Sequence, residues 1–314
     1  MTQLQKFGLL IVFIAFFSAA HAQTKNDFDL SDASVPADQI RRGGVPRDGI
    51  PSIDNPKFIH ADDTDFLKDK DRVLGVFRNG IAKAYPIRIL DHHEIVNDYF
   101  GDEAIVVSYC PLCYTGMVFS AMTADFNFTF GVSGLLYNSD VLLYDRQTGS
   151  LWSQVLSKAI TGPLKDMTLP SLPASHTTWR DWLKRYPDTQ VLSTDTGFKR
   201  NYRRSPYLDY ARSGRLMFPV ENQSKVYRNK DLVLGVSANG VTKAYPFKEL
   251  EKNQQKKFED SVGGTTVTVE WFEAEDFARI LDDTGQEVPS VIAYWFAWYA
   301  FHPDTGIYRA GDPE

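Results

Sequence analysis

Asp71 to Leu90 reads DRVLGVFRNGIAKAYPIRIL, and Asp231 to Leu250 reads DLVLGVSANGVTKAYPFKEL. Twelve of the twenty positions are identical at a constant offset of 160, which points to a duplicated supersecondary unit. In the first copy Val73 to Phe77 is β-branched and apolar, Asn79-Gly80 supplies two residues that tolerate positive φ, and Ile81 to Tyr85 returns. That is a β-hairpin pattern. Pro86 suits the first turn of a helix, where its missing N–H is not needed. Ile89, Leu90, His93, Val96 and Phe100 recur at helical spacing, so a short amphipathic helix is expected over Pro86–Phe100, ended by Gly101-Asp102. Ala104 to Tyr109 then reads as a strand. The second copy repeats the helix over Pro246–Phe258 and the strand over Thr265–Trp271.

Working outward, Phe126–Phe130 and Val141–Tyr144 look like strands. Thr178 opens a helix with Trp179, Trp182, Leu183 and Tyr186 on one face, closed by Pro187, and Gln190–Ser193 is a further strand. Ser290–Phe301 is apolar and aromatic but short, and reads as buried core. The expected class is α+β, sheet-dominated, with a duplicated hairpin–helix–strand unit. The chain divides into an extended arm rich in Pro, Gly and Asp (23–60), a first copy with a central segment (61–225) and a degenerate second copy (226–314).

The first residues read as a signal peptide (1–22). Lys6 is a small positive n-region, Phe7–Ala19 is an apolar run, and Ala20-His21-Ala22 offers small residues at the positions a signal peptidase reads, leaving Gln23 as the new N-terminus. A membrane anchor is the alternative, but the run falls short of the about 20 residues that span a bilayer. The expected location is periplasmic or secreted, with no transmembrane segment after signal removal. The formal net charge of −6 argues against bulk binding of nucleic acid, which needs a basic surface.

Tyr109-Cys110-Pro111-Leu112-Cys113 resembles a prokaryotic family known as domain of unknown function 3179. The likeness runs on through Gly131–Tyr137, Tyr144-Asp-Arg-Gln-Thr-Gly-Ser-Leu-Trp-Ser-Gln154, Ala159–Gly162, Thr178-Trp179, Trp182, Tyr186-Pro187, Val191–Ser193, Thr196-Gly197 and Tyr202. Asp91–Asp98 and Trp295–Tyr308 also fit. The resemblance covers most of the chain after residue 22 and implies no reaction, so function has to be argued from the site.

Cys110 and Cys113 are the two cysteines, and three readings compete. A structural disulfide is one, although closing so short a loop stabilises by roughly 2 kcal/mol, against about 3 for fifteen residues. A thiol–disulfide oxidoreductase centre is another. Such a centre usually sits at a helix N-terminus that lowers the thiol pKa, whereas Tyr114–Phe119 looks like a strand. The third is a zinc or copper site in which the Cys-Pro-Leu-Cys turn places two sulfurs on one ion. Of His60, His92, His93, His176 and His302, His93 is the preferred third ligand because helical spacing points it inward, and His92 should face solvent. A satisfied core histidine is the plainer alternative. Asp91 and Glu94 are near in sequence as possible partners of its other ring nitrogen, and Met117 could add a thioether or simply fill the core. At the positions of His92 and His93 the second copy has Lys252 and Asn253, and Thr265–Trp271 has no cysteine; a ligand set lost together gives this pattern, and so do two unrelated substitutions.

Two further features carry weaker signals. Arg146 could contact an anionic substrate or brace a turn with Asp145, near Ser150-Leu151-Trp152. Lys199, Arg200, Arg203, Arg204, Arg212 and Arg215, interleaved with Tyr202, Tyr207 and Tyr210, form a basic patch that is either a solvated loop or a contact for an anionic partner or membrane surface. No nucleotide, haem, HExxH or GxSxG motif is present. Enzyme and non-enzyme readings both stand, and no partner is specified.

Overall fold

A computed structural model describes residues 23–123 and 127–311. The signal-peptide reading of residues 1–22 falls outside them, as does Phe126. Strand far outweighs helix, at 40% to 13%, which fits a sheet-dominated α+β class. Among the described residues, no helix is long and apolar enough to cross a membrane.

Arg72–Arg78 and Ile81–Pro86 pair antiparallel from Val73↔Pro86 to Arg78↔Ile81, and Leu232–Ala238 and Val241–Pro246 pair in the same register from Val233↔Pro246 to Ala238↔Val241. Both turn at Asn-Gly, with Asn79 and Asn239 at φ 52 and 50. The correspondence extends past the residues that match in sequence. One hairpin is flanked antiparallel by Ser175–Thr178 and parallel by Gln190–Leu192; the other by Val291–Tyr294 and Gly306–Ile307. The antiparallel flanking strand runs straight into a helix in each case, Trp179–Arg185 and Trp295–Phe301. Trp182 Nε1 then donates to Thr189 Oγ1 at 2.9 Å, and Trp298 Nε1 to Thr305 Oγ1 at 3.0 Å. Each indole lies against a strand glycine, Gly75 or Gly235, where a methyl group would overlap the ring.

The helices after the hairpins are shorter than their periodicity implies. The first is Ile87–His93, not Pro86–Phe100, and the second is Phe247–Lys252, not Pro246–Phe258. Glu94 adopts the left-handed region (φ 58) and ends the first helix, its N–H bonded to Leu90 O. Ile95–Phe100 is a strand paired with Glu103–Cys110, and Lys257–Val262 pairs likewise with Thr265–Phe272. Val96 and Phe100 repeat at a spacing of four because both point to one face of a strand, which also satisfies a helical count. Asp98 shares that face and takes Lys83 Nζ on both oxygens at 2.9 Å and Tyr85 OH at 2.5 Å. Asp260 does the same for Lys243 and Tyr245, at 2.7 and 2.9 Å.

Glu103–Cys110 pairs with Thr115–Ser120 across the Cys110–Cys113 turn. A neighbouring sheet is built on Phe130–Tyr137 and Asp140–Asp145; the first of these strands starts four residues later than the sequence suggests. These two sheets pack their apolar faces together around Phe128, Phe130 and Trp152, with both cysteines inside that core.

Candidate functional site

Two turns meet at the site. Cys110 closes one strand, and Cys113 N–H bonds back to Cys110 O at 3.2 Å, which brings both side chains to one side of the turn. Opposite lies the two-residue turn Asn138-Ser139, both residues at positive φ (50 and 68), joining Tyr137 to Asp140. The two sulfurs and a carboxylate oxygen of Asp140 all lie within 4.8 Å of one another. All three residues are buried and both cysteines are free thiols.

Burial pushes these groups toward their neutral forms. Ser139 O is the acceptor for the thiols, 3.3 Å from Cys113 Sγ and 3.9 Å from Cys110 Sγ. Burial raises both thiols, Cys113 well above the ordinary thiol range. Burial also pushes the Asp140 carboxyl up to about 7, against bonds from Cys110, the Val155 N–H and Cys113 that favour the carboxylate. Thr115 has one hydroxyl proton. Given to Gln154 Oε1 at 2.6 Å, it leaves the Thr115 oxygen to accept from a protonated Asp140 at 3.2 Å. Ser139 Oγ is buried and has no partner among the described residues. Two thiols, a carboxyl and an orphaned hydroxyl in a buried place fit a cation: bound to one, the ligands would be charged and matched.

His93 is not brought to the cysteines. Its Nδ1 must donate to Pro51 O, 2.7 Å away, because a carbonyl only accepts; Nε2 then accepts from Tyr202 OH at 2.6 Å. Thr196 Oγ1 lies 2.5 Å from the same hydroxyl. His93 is thus the satisfied core histidine, its pKa lowered chiefly by burial. Past the helix end, Glu94 in its left-handed conformation lies near enough to the site to act on Cys110. Burial raises the Glu94 carboxyl to about 8, its side-chain partner is Tyr207 OH at 3.3 Å, and its charge acts on Cys110. Asp91, also buried, is raised to about 6.

The other candidates are dispersed. His92 Nε2 meets Arg204 O at 3.1 Å, His60 caps a short 3-10 turn, and His302 lies on Trp298 with a ring distance of 4.1 Å. His176 stacks on Tyr114 at 4.5 Å, with neither ring nitrogen bonded among the described residues. Met117 packs against the core. Arg146 does not pair with Asp145: the strand ends at Asp145, and Arg146 opens the turn that follows it. It binds Asp54 at 3.1 Å and Ser52 Oγ at 2.7 Å, while Asp145 accepts from Trp152 Nε1 at 2.9 Å. The residue that sequence reasoning missed is Asp140. Asn138-Ser139 before it is a turn signal, but nothing local says which strand end that turn faces.

A family model described as protein of unknown function (DUF3179) matches residues 47–305, a span that holds both hairpins and the whole Cys-Cys-Asp group. No curated protein matches the chain, and no solved structure does.

Proposed function

We propose, for a chain that belongs to the DUF3179 family of proteins of unknown function, that Cys110, Cys113 and Asp140 hold a divalent metal ion, zinc before copper. The observation that carries this reading is the convergence of three buried metal-ligating side chains whose ligand atoms lie within 4.8 Å of one another. With a carboxylate as the third donor the set is two soft and one hard, which suits zinc, whereas Cu(I) prefers soft donors throughout. Zinc takes sulfur at about 2.3 Å and oxygen at about 2.0–2.2 Å, so ligand atoms sit roughly 3.3–3.8 Å apart and a contraction of about 1 Å closes the shell. A fourth position remains for Ser139, water or a substrate.

Thiol–disulfide exchange has less support. Exchange needs an accessible thiolate, and burial holds both thiols in the protonated form. The reading extends to the scaffold: the two hairpin–helix–hairpin units are copies of one ancestral unit, the second without the ligands, and their shared register at an offset of 160 supports this. Export through residues 1–22 belongs to the same proposal and rests on the sequence.

Competition of the full chain with a chromophoric zinc chelator tests the site. One equivalent of zinc should bind and protect two thiols from alkylation. Cys110→Ser or Cys113→Ser should abolish competition, whereas His93→Gln should leave it within about threefold, because His93 is no ligand. Equal competition by wild type and Cys113→Ser would remove the proposal.

A further inference from the structure

Residues 196–230 form a long strap with one short helix, Leu208–Arg212. The strap carries nine Lys and Arg against two Asp and Glu, in a chain whose formal net charge is −6. Among the described residues, all of these cations but Arg228 and Lys230 are exposed and have no carboxylate partner. Arg212, Lys225, Arg228 and Lys230 of the strap join Lys248 and Asp231 around an open cleft of about 820 Å³. Four large apolar side chains stand out from the same strap: Phe198 (41% exposed), Leu208 (42%), Met217 (55%) and Val226 (50%).

We propose that this strap is a docking surface for a membrane rich in anionic phospholipid. Basic side chains attract the headgroups, and the exposed apolar side chains enter the headgroup–acyl boundary. The inner side of the strap makes it a fixed surface. Tyr202 bonds to His93, Tyr207 to Glu94, and Tyr210 OH to Leu112 O at 3.0 Å. Those inward rings cannot stack on bases, which single-stranded nucleic acid binding uses, so the exposed apolar groups favour lipid.

Vesicle sedimentation of the full chain tests the surface. Wild type should pellet with phosphatidylcholine vesicles containing about 30% phosphatidylglycerol and stay in solution with phosphatidylcholine alone, and binding should fall as salt shortens the Debye length. Arg212→Glu with Lys225→Glu should weaken binding at least about tenfold, and Met217→Ser with Val226→Ser should weaken it too. Unchanged thermal unfolding would show that these exposed substitutions leave the fold intact. Failure of wild type to pellet with the anionic vesicles, equal pelleting with both compositions, or binding indifferent to the charge reversal would each overturn the proposal. Retention on heparin or duplex DNA without vesicle binding would overturn it as well, in favour of a soluble polyanion.

Discussion

Tyr202→Phe removes the hydroxyl that donates to His93 Nε2 and leaves a buried acceptor unpaired. The loss should cost about 1–3 kcal/mol in urea unfolding and leave zinc affinity unchanged. A Glu94→Gln variant tests the buried carboxyl. The folded-state value of about 8 lies above the ordinary 4.5, so the folded protein binds the extra proton between those values. Its stabilisation is full below about pH 4.5 and is lost as pH rises through 8. Melting temperature of the metal-free wild type should therefore fall over that window. Glu94→Gln should flatten the fall and melt higher than wild type at pH 8, and parallel curves would refute the assignment. The Cys110–Cys113 spacing was legible because two thiols on one tight turn are close whatever the fold. His93 was misread as a ligand because helical spacing says that a side chain points inward and not which partner it meets: it is buried, against Pro51 and Tyr202. Asp140 was invisible because its neighbour in space lies 27 residues back, across a sheet contact that no local pattern encodes.

At the level of elements, the hairpins were legible from Asn79-Gly80 and Asn239-Gly240, where sterics leave few alternatives. The strands Ile95–Phe100 and Lys257–Val262 were not, since Val96 and Phe100 fit either period. The matching flanking strands and Trp–Thr bonds share too few residues to show as a repeat. The two Lys–Asp–Tyr groups give a comparison within one molecule. Side chains of Lys83 and Asp98 are 9% and 6% exposed, against 23% and 18% for Lys243 and Asp260. Lys83→Met strands a carboxylate in the core and should cost about 3–5 kcal/mol. Lys243→Met should cost clearly less, because water reaches Asp260. Equal losses in chemical denaturation would show that the two units are held together differently from this account.

At the scale of the whole molecule, two thiols and a carboxyl sit in the core between two sheets, and Tyr210 of the basic strap bonds to Leu112 O in the cysteine turn. The outer charge and the inner site are separate features, so strap variants should leave zinc affinity untouched. Export is checked on protein recovered from the host: N-terminal sequencing should begin at or near Gln23, and an intact Met1 would remove that part of the proposal. The central claim is the ligand set, and zinc-edge X-ray absorption of the loaded full chain reads it directly. The account predicts two sulfur scatterers at about 2.3 Å with oxygen at about 2.0–2.2 Å and no imidazole outer-shell pattern. An imidazole pattern, or a shell without sulfur, would contradict it.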